Sequence, residues 1–159
     1  MTDDEPLGDA AALERVLRQV PLFSRMSKRH LRQLADRSEV FRYRPKEPIV
    51  REKFSAEGFF LIASGSACVI RQDGIRRMIG SGDYFGELGL IDGTSRNATV
   101  VAEDDVVAVK IKRQTFLDLL DHEPTVCRAL VESLVAYIRS NEVDPASPTD
   151  PAAHPAGYG

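Results

Sequence analysis

Apolar and polar positions follow two rhythms along this chain, helical at both ends and strand-like between them. Leu13, Val16, Leu17 and Val20 recur at helical spacing and stop at Pro21, which predicts an amphipathic first helix. Beyond Leu22 and Phe23, Ser27 is suited to cap a second short helix that carries Leu31, Leu34 and Ala35 on one face. From about Glu39 the rhythm shortens. Apolar or alternating runs fall at 40–43, 59–63, 67–70, 78–79, 98–102 and 106–111. They are punctuated by Pro48, Gly58, Gly65, Asp73-Gly74, Gly80, Gly82 and Asp92-Gly93. Many short strands with turn signals at this spacing predict a mainly β domain, a sandwich or rolled sheet.

Helical spacing returns with Phe116, Leu119 and Leu120, and Pro124 suits the first turn of a longer helix reaching about Asn141. On that helix Val126, Cys127, Leu130, Val131, Leu134, Val135, Tyr137 and Ile138 cover about half the circumference, whereas packing on one surface needs little more than about 100°. The surplus implies a second contact, from a partner subunit, a neighbouring domain or a ligand. Residues 143–159 are rich in Pro, Ala, Ser and Gly without a period, and predict a disordered tail. With residues 1–10 as a flexible N-terminus, residues 11–142 are left as one domain.

Composition changes this picture little. A chain of 159 residues has room for one domain and its core, and a net charge of −3 points to no polyanionic partner. Basic residues crowd the first third, from Arg15 to Lys53, and read as a solvated helical face, with a docking surface for an acidic partner as the alternative. Cys68 and Cys127 lie inside apolar segments with no motif between them, so both are expected as reduced core residues. The acidic N-terminus has no apolar signal core, and no apolar run approaches the roughly 18 residues of a membrane span. The expectation is a soluble cytoplasmic protein without a membrane partner.

The chemistry concentrates in residues 82–100, Gly-Asp-Tyr-Phe-Gly-Glu-Leu-Gly-Leu-Ile-Asp-Gly-Thr-Ser-Arg-Asn-Ala-Thr-Val. A strand ends at Phe85, and Gly86 lets the backbone approach whatever binds there. Glu87 to Leu90 form one helical turn whose free N–H groups point toward an anion. A turn at Asp92-Gly93 returns the chain to Arg96, whose guanidinium can grip two phosphate oxygens at once. The Glu87 carboxylate repels phosphate, so its use is to accept a hydrogen bond from a neighbouring sugar hydroxyl.

This segment resembles the phosphate-binding cassette of the cyclic-nucleotide-binding domains, the family of the protein kinase A regulatory subunit and the catabolite activator protein. The cassette reads roughly Phe-Gly-Glu-Leu-(Ala/Gly)-Leu, then Arg-(Ala/Ser/Thr)-Ala. Residues 85–90 match throughout, Arg96 falls at the expected spacing and Ala98 fits. Phe59 to Gly65 resembles a further strand of the family, and the resemblance covers about residues 13–141. It implies a β-roll with flanking N-terminal helices and a long C-terminal helix. It gives Glu87 the ribose 2′-hydroxyl and Arg96 the exocyclic phosphate oxygens, with backbone groups of Gly86, Leu88, Gly89 and Asn97 lining the rest. Asn97 departs from the small or hydroxyl residue of relatives, and Lys53 replaces a usual turn glycine. Asn141, in the apolar stripe, falls where the long helix of the catabolite activator reaches adenine. Its amide suits the N6/N7 edge, with Tyr137 one turn earlier to stack on the base or shield it. The ligand expected on this basis is cyclic AMP, with cyclic GMP as the alternative that an Asn97 contact to guanine would favour.

Other classes fit less well. A metal-dependent enzyme on a β-roll needs clustered ligands, and His30, His122 and His154 all lie outside the predicted strands. No nucleophile–base pair stands out, so neither a catalytic residue, a metal nor a cofactor is expected. Only the proline-rich stretch follows Asn141, with no pattern for a DNA-binding helix-turn-helix. The expected protein is a sensor that signals through movement of its C-terminal helix, to a second copy or an effector protein. The alternatives are a sensor fragment of a transcription regulator or channel, and a degenerate cassette kept as an interaction module.

Overall fold

The structure is a computed structural model and describes residues 9–51, 58–92 and 98–142, with only the backbone described at 88, 89, 92 and 140–142. Two short helices open it, α1 (Ala10–Arg18) and α2 (Lys28–Asp36). Asp9 caps α1 by accepting from the amide of Ala12 at 2.7 Å, and Ser27 caps α2 by accepting from His30 at 3.2 Å. Glu14, almost wholly buried, accepts from Arg32 at 3.3 Å and so pins α1 to α2.

Eight strands follow in two antiparallel sheets: β1 (Ser38–Tyr43), β2 (Pro48–Val50), β3 (Gly58–Ser64), β4 (Ala67–Arg71), β5 (Arg76–Ile79), β6 (Tyr84–Phe85), β7 (Ala98–Ala102) and β8 (Val106–Lys112). The orders are β1-β8-β3-β6 and β2-β7-β4-β5. A short helix, α3 (Glu87–Asp92), begins between β6 and β7, and α4 (Arg113–His122) and α5 (Pro124–Glu142) close the described chain. This is the β-roll with flanking helices that the sequence predicts.

The first sheet is covered on both sides, which explains the unbroken apolar run of β3. Phe60 and Ile62 face the second sheet, together with Val69, Phe85, Ala98, Val100 and Ala108. Phe59 and Leu61 face the helices, with Phe23, Leu31, Tyr84, Phe116 and Val126. Phe59 is the hub of the outer layer, stacked on Tyr84 at 5.3 Å and on Phe116 at 5.2 Å between ring centroids.

Two sequence expectations change. β2 opens on Pro48, which reads in sequence as punctuation; as an edge strand it needs no ladder donor there. Cys127 is exposed rather than in the core, because α5 turns Val126 and Leu130 inward and Cys127 points away from them. Cys68 is buried as expected. The basic residues of the first third that are described, Arg15 to Arg51, are all exposed.

Candidate functional site

The cassette segment joins the two sheets. β6 is the edge strand of the first sheet, and β7 lies inside the second, so the chain passes from one sheet to the other between them. The approach is rigidly held. Asp83 accepts from the Gly80 amide at 2.8 Å, Ser81 donates to the Ala63 carbonyl at 2.9 Å, and the Ile62 amide donates to the Asp83 carbonyl at 2.8 Å.

β6 then places its two residues on opposite faces. Phe85 enters the roll and stacks on Phe60 at 5.3 Å with an interplanar angle of 7°. Tyr84 faces the helices, where its hydroxyl meets the Ser133 hydroxyl of α5 at 3.1 Å. Gly86 follows with φ of 103°, a conformation open to glycine and strained for other residues, so the turn itself calls for glycine. Glu87 begins α3 and is only 2% exposed. A carboxylate so deeply buried demands polar company. Its charge also raises the pKa of Tyr84, as a smaller cause beside desolvation, against the opposing hydrogen bond with Ser133.

Of the other expected site residues, Leu88 and Gly89 continue α3, and Ala98 opens β7, fully buried in the roll. Arg96 and Asn97 lie outside the described residues, as do Lys53 and the stretch 143–159. Tyr137 is half-buried on α5, and Asn141 stands in its last turn, with its side chain outside the description. The Tyr84–Ser133 contact was not expected from sequence; its one signal was a serine bordering the apolar stripe of α5. Among the described residues no cluster of His, Cys, Asp or Glu has the arrangement to hold a metal ion.

Comparison with known proteins decides the family. The profile of the cyclic nucleotide-binding domain matches residues 40–123, just over half of the chain. The chain belongs to the cyclic nucleotide-binding domain family. Among its relatives is the cAMP-dependent protein kinase regulatory subunit of Aspergillus niger, 34% identical over 109 residues, which are 67% of this chain and 26% of the relative. The chain thus spans about a quarter of the length of that curated relative. The regulatory domain of Toxoplasma gondii protein kinase A, solved with cAMP, superposes with a TM-score of 0.72 at 25% identity, covering 80% of this chain and 50% of that one. The regulatory subunit of a cAMP-independent protein kinase A from Trypanosoma brucei superposes with a TM-score of 0.68 at 27% identity, covering 79% of this chain and 48% of that one. Family and fold are therefore shared by proteins whose relation to cAMP differs, and the ligand has to be argued from the site. Among the described residues no helix is long and apolar enough to cross a membrane.

Proposed function

We propose that residues 11–142 form a receptor domain for a cyclic purine mononucleotide, cyclic AMP in the first instance, and that it senses without catalysing. The observation that carries this reading is Glu87, an acid buried at the first turn of α3 directly after a positive-φ glycine. Arg96 anchors the phosphate, and Glu87 accepts from the ribose 2′-hydroxyl. Backbone groups of Gly86, Leu88, Gly89 and Asn97 complete the cradle beside Ala98. Asn141 reads the base edge, and Tyr137 shields it. Support for cAMP comes from the relatives named for it, and support for a regulatory role from their being regulatory subunits. The exposed thiol of Cys127 accords with a reducing compartment, and we place the protein in the cytoplasm.

The output runs through α5. Val131 and Ile138 are 52% and 53% exposed, so the surplus apolar stripe is not absorbed by the rest of the described chain. It is the surface through which the signal passes, to a second copy or to an effector protein.

Isothermal titration with cyclic AMP and cyclic GMP tests the reading. The wild type is expected to bind both, and cyclic AMP more tightly. Arg96→Ala should lose about 2–5 kcal/mol of binding, because a buried phosphate is left without its charge partner. Glu87→Ala should lose about 1.5–3 kcal/mol, the range for a hydrogen bond to a charged group. Undiminished affinity in Arg96→Ala would refute the binding mode. A wild type that binds neither nucleotide would leave the degenerate interaction module as the function.

A further inference from the structure

Among the described residues, the inner wall of the roll next to the cassette is built from apolar side chains such as Ile62, Val69, Phe85, Ala98 and Val100, and one arginine joins them. In the second sheet Val69 of β4 pairs with Arg77 on β5 and with Val100 on β7. Residues directly opposite in an antiparallel ladder project from the same face. Val69 and Val100 are in the roll interior, so Arg77 points there too. The burial along β5 agrees: Ile79 is buried, Met78 and Arg76 are exposed, and Arg77 is half-buried. Its Nε and Nη2 atoms are shielded from solvent.

The same row lies close to the cassette. Val100 is two residues beyond Ala98, the buried residue on which the cassette ends, a step of about 6.8 Å along the strand. β5 stands two strand spacings, about 9.6 Å, from β7. An arginine projecting inward from β5 is long enough for its guanidinium to extend over Val69 toward Val100. A base attached to a phosphate at the start of α3 would meet this wall if it extended from the cassette toward β5.

We propose that Arg77 is a ligand-contacting residue whose guanidinium lies flat against the purine ring of the bound nucleotide. This rests on the receptor reading given above and adds the residue that holds the base. The chemistry is specific to arginine. Its guanidinium is planar, delocalised and weakly hydrated, so it tolerates an apolar wall better than an ammonium does and can stack on a ring. The π-face of a purine supplies electron density to a cation set above it. Every base has such a face, so this contact strengthens binding of adenine and guanine alike and leaves the choice between them to groups at the base edge.

A double-mutant cycle on the full chain separates this contact from a merely electrostatic one. Calorimetric titration uses cyclic AMP, cyclic GMP and ribose 3′,5′-cyclic phosphate, which lacks the base, against wild type, Arg77→Met and Arg77→Lys. Arg77→Met is expected to weaken both purine nucleotides about 3- to 30-fold and the base-free ligand by less than about twofold. Arg77→Lys keeps the charge without the plane and should recover only part of the loss. Equal weakening of all three ligands would place Arg77 at the phosphate and overturn the proposal, as would unchanged purine affinity in Arg77→Met. Thermal melts of both variants check that they fold. A wild type that binds none of the three ligands overturns the receptor reading itself, and this inference with it.

Discussion

Two glycines in turns show how differently one substitution acts at the level of a single residue. Gly65 and Gly74 both have positive φ, 88° and 84°. A Cβ at Gly74 meets nothing within 4 Å, so Gly74→Ala carries only the backbone strain, about 1–2 kcal/mol. A Cβ at Gly65 would stand 2.2 Å from the carbonyl oxygen of Asp105. That contact is backbone and cannot swing aside, and Asp104 next to it already accepts from the amide and hydroxyl of Ser66. Gly65→Ala is expected to lose at least about 1–3 kcal/mol more than Gly74→Ala in urea denaturation. Equal losses would mean that the β3–β4 turn yields. Both glycines were visible in sequence as punctuation, but the difference between them was not, since it depends on a loop about forty positions further along the chain. Arg77 was hidden for a related reason. A charged residue interrupts an apolar pattern, and only the register with Val69 shows which way it faces.

Among the elements, the contact between β6 and α5 is the most informative. The Tyr84 hydroxyl and the Ser133 hydroxyl meet at 3.1 Å inside the apolar layer under α5. Tyr84→Phe keeps the ring on Phe59 and removes this bond, and about 0.5–1.5 kcal/mol of stability should go with it. Ser133→Ala should produce a similar loss, and the double variant little more than either single one. The pH dependence gives a second measure. Desolvation first, and the Glu87 charge in part, raise the Tyr84 pKa above its ordinary value of 10.0 although the Ser133 bond lowers it. The folded protein therefore holds the phenol proton more tightly than the unfolded chain does. Stability from this source is intact below pH 10 and is lost as the pH rises above it. Denaturation on either side of that pH should show a steeper decline for wild type than for Tyr84→Phe. Parallel declines would mean that the phenol is not held in this layer. The elements themselves were largely readable: the Ser27 cap and the apolar runs of β3, β7 and β8 follow from local pattern, whereas the Asp9 cap lies in a stretch read as a flexible N-terminus. β2 was lost to its proline, and half of β5 to its paired arginines. The Tyr84–Ser133 bond joins residues 49 positions apart, so no local pattern encodes it.

For the whole molecule, the surface of α5 sets the question of assembly. Cys127, Val131, Val135 and Ile138 form an exposed edge beside the buried Val126 and Leu130, so the helix is apolar on two adjoining sides, of which the described residues cover one. Arg128 and Glu132, paired at 3.2 Å, border that edge and are themselves exposed. Sedimentation is expected to show a dimer for wild type and a monomer for Val131→Glu, whose buried carboxylate an interface would not accept. A monomeric wild type, with and without nucleotide, would exclude the second copy and leave the edge to an effector. The excess width of this stripe was legible in sequence, but placing Cys127 in the core was an error of phase. The stripe is continuous around the helix, and only the packed structure shows where its covered part ends.

β6 is two residues long and yet belongs to both layers, Phe85 to the interior of the roll and Tyr84 to the layer beneath α5. Two adjacent residues on one extended backbone cannot turn independently, so a rotation imposed at Gly86 reaches both layers at once. Such a joint has no preferred direction of travel. Equilibrium linkage then makes the traffic reciprocal: whatever factor a nucleotide contributes to capture of α5, a molecule that captures α5 returns to the affinity for nucleotide. On this view a partner of α5 is an allosteric effector of the cassette as much as its audience.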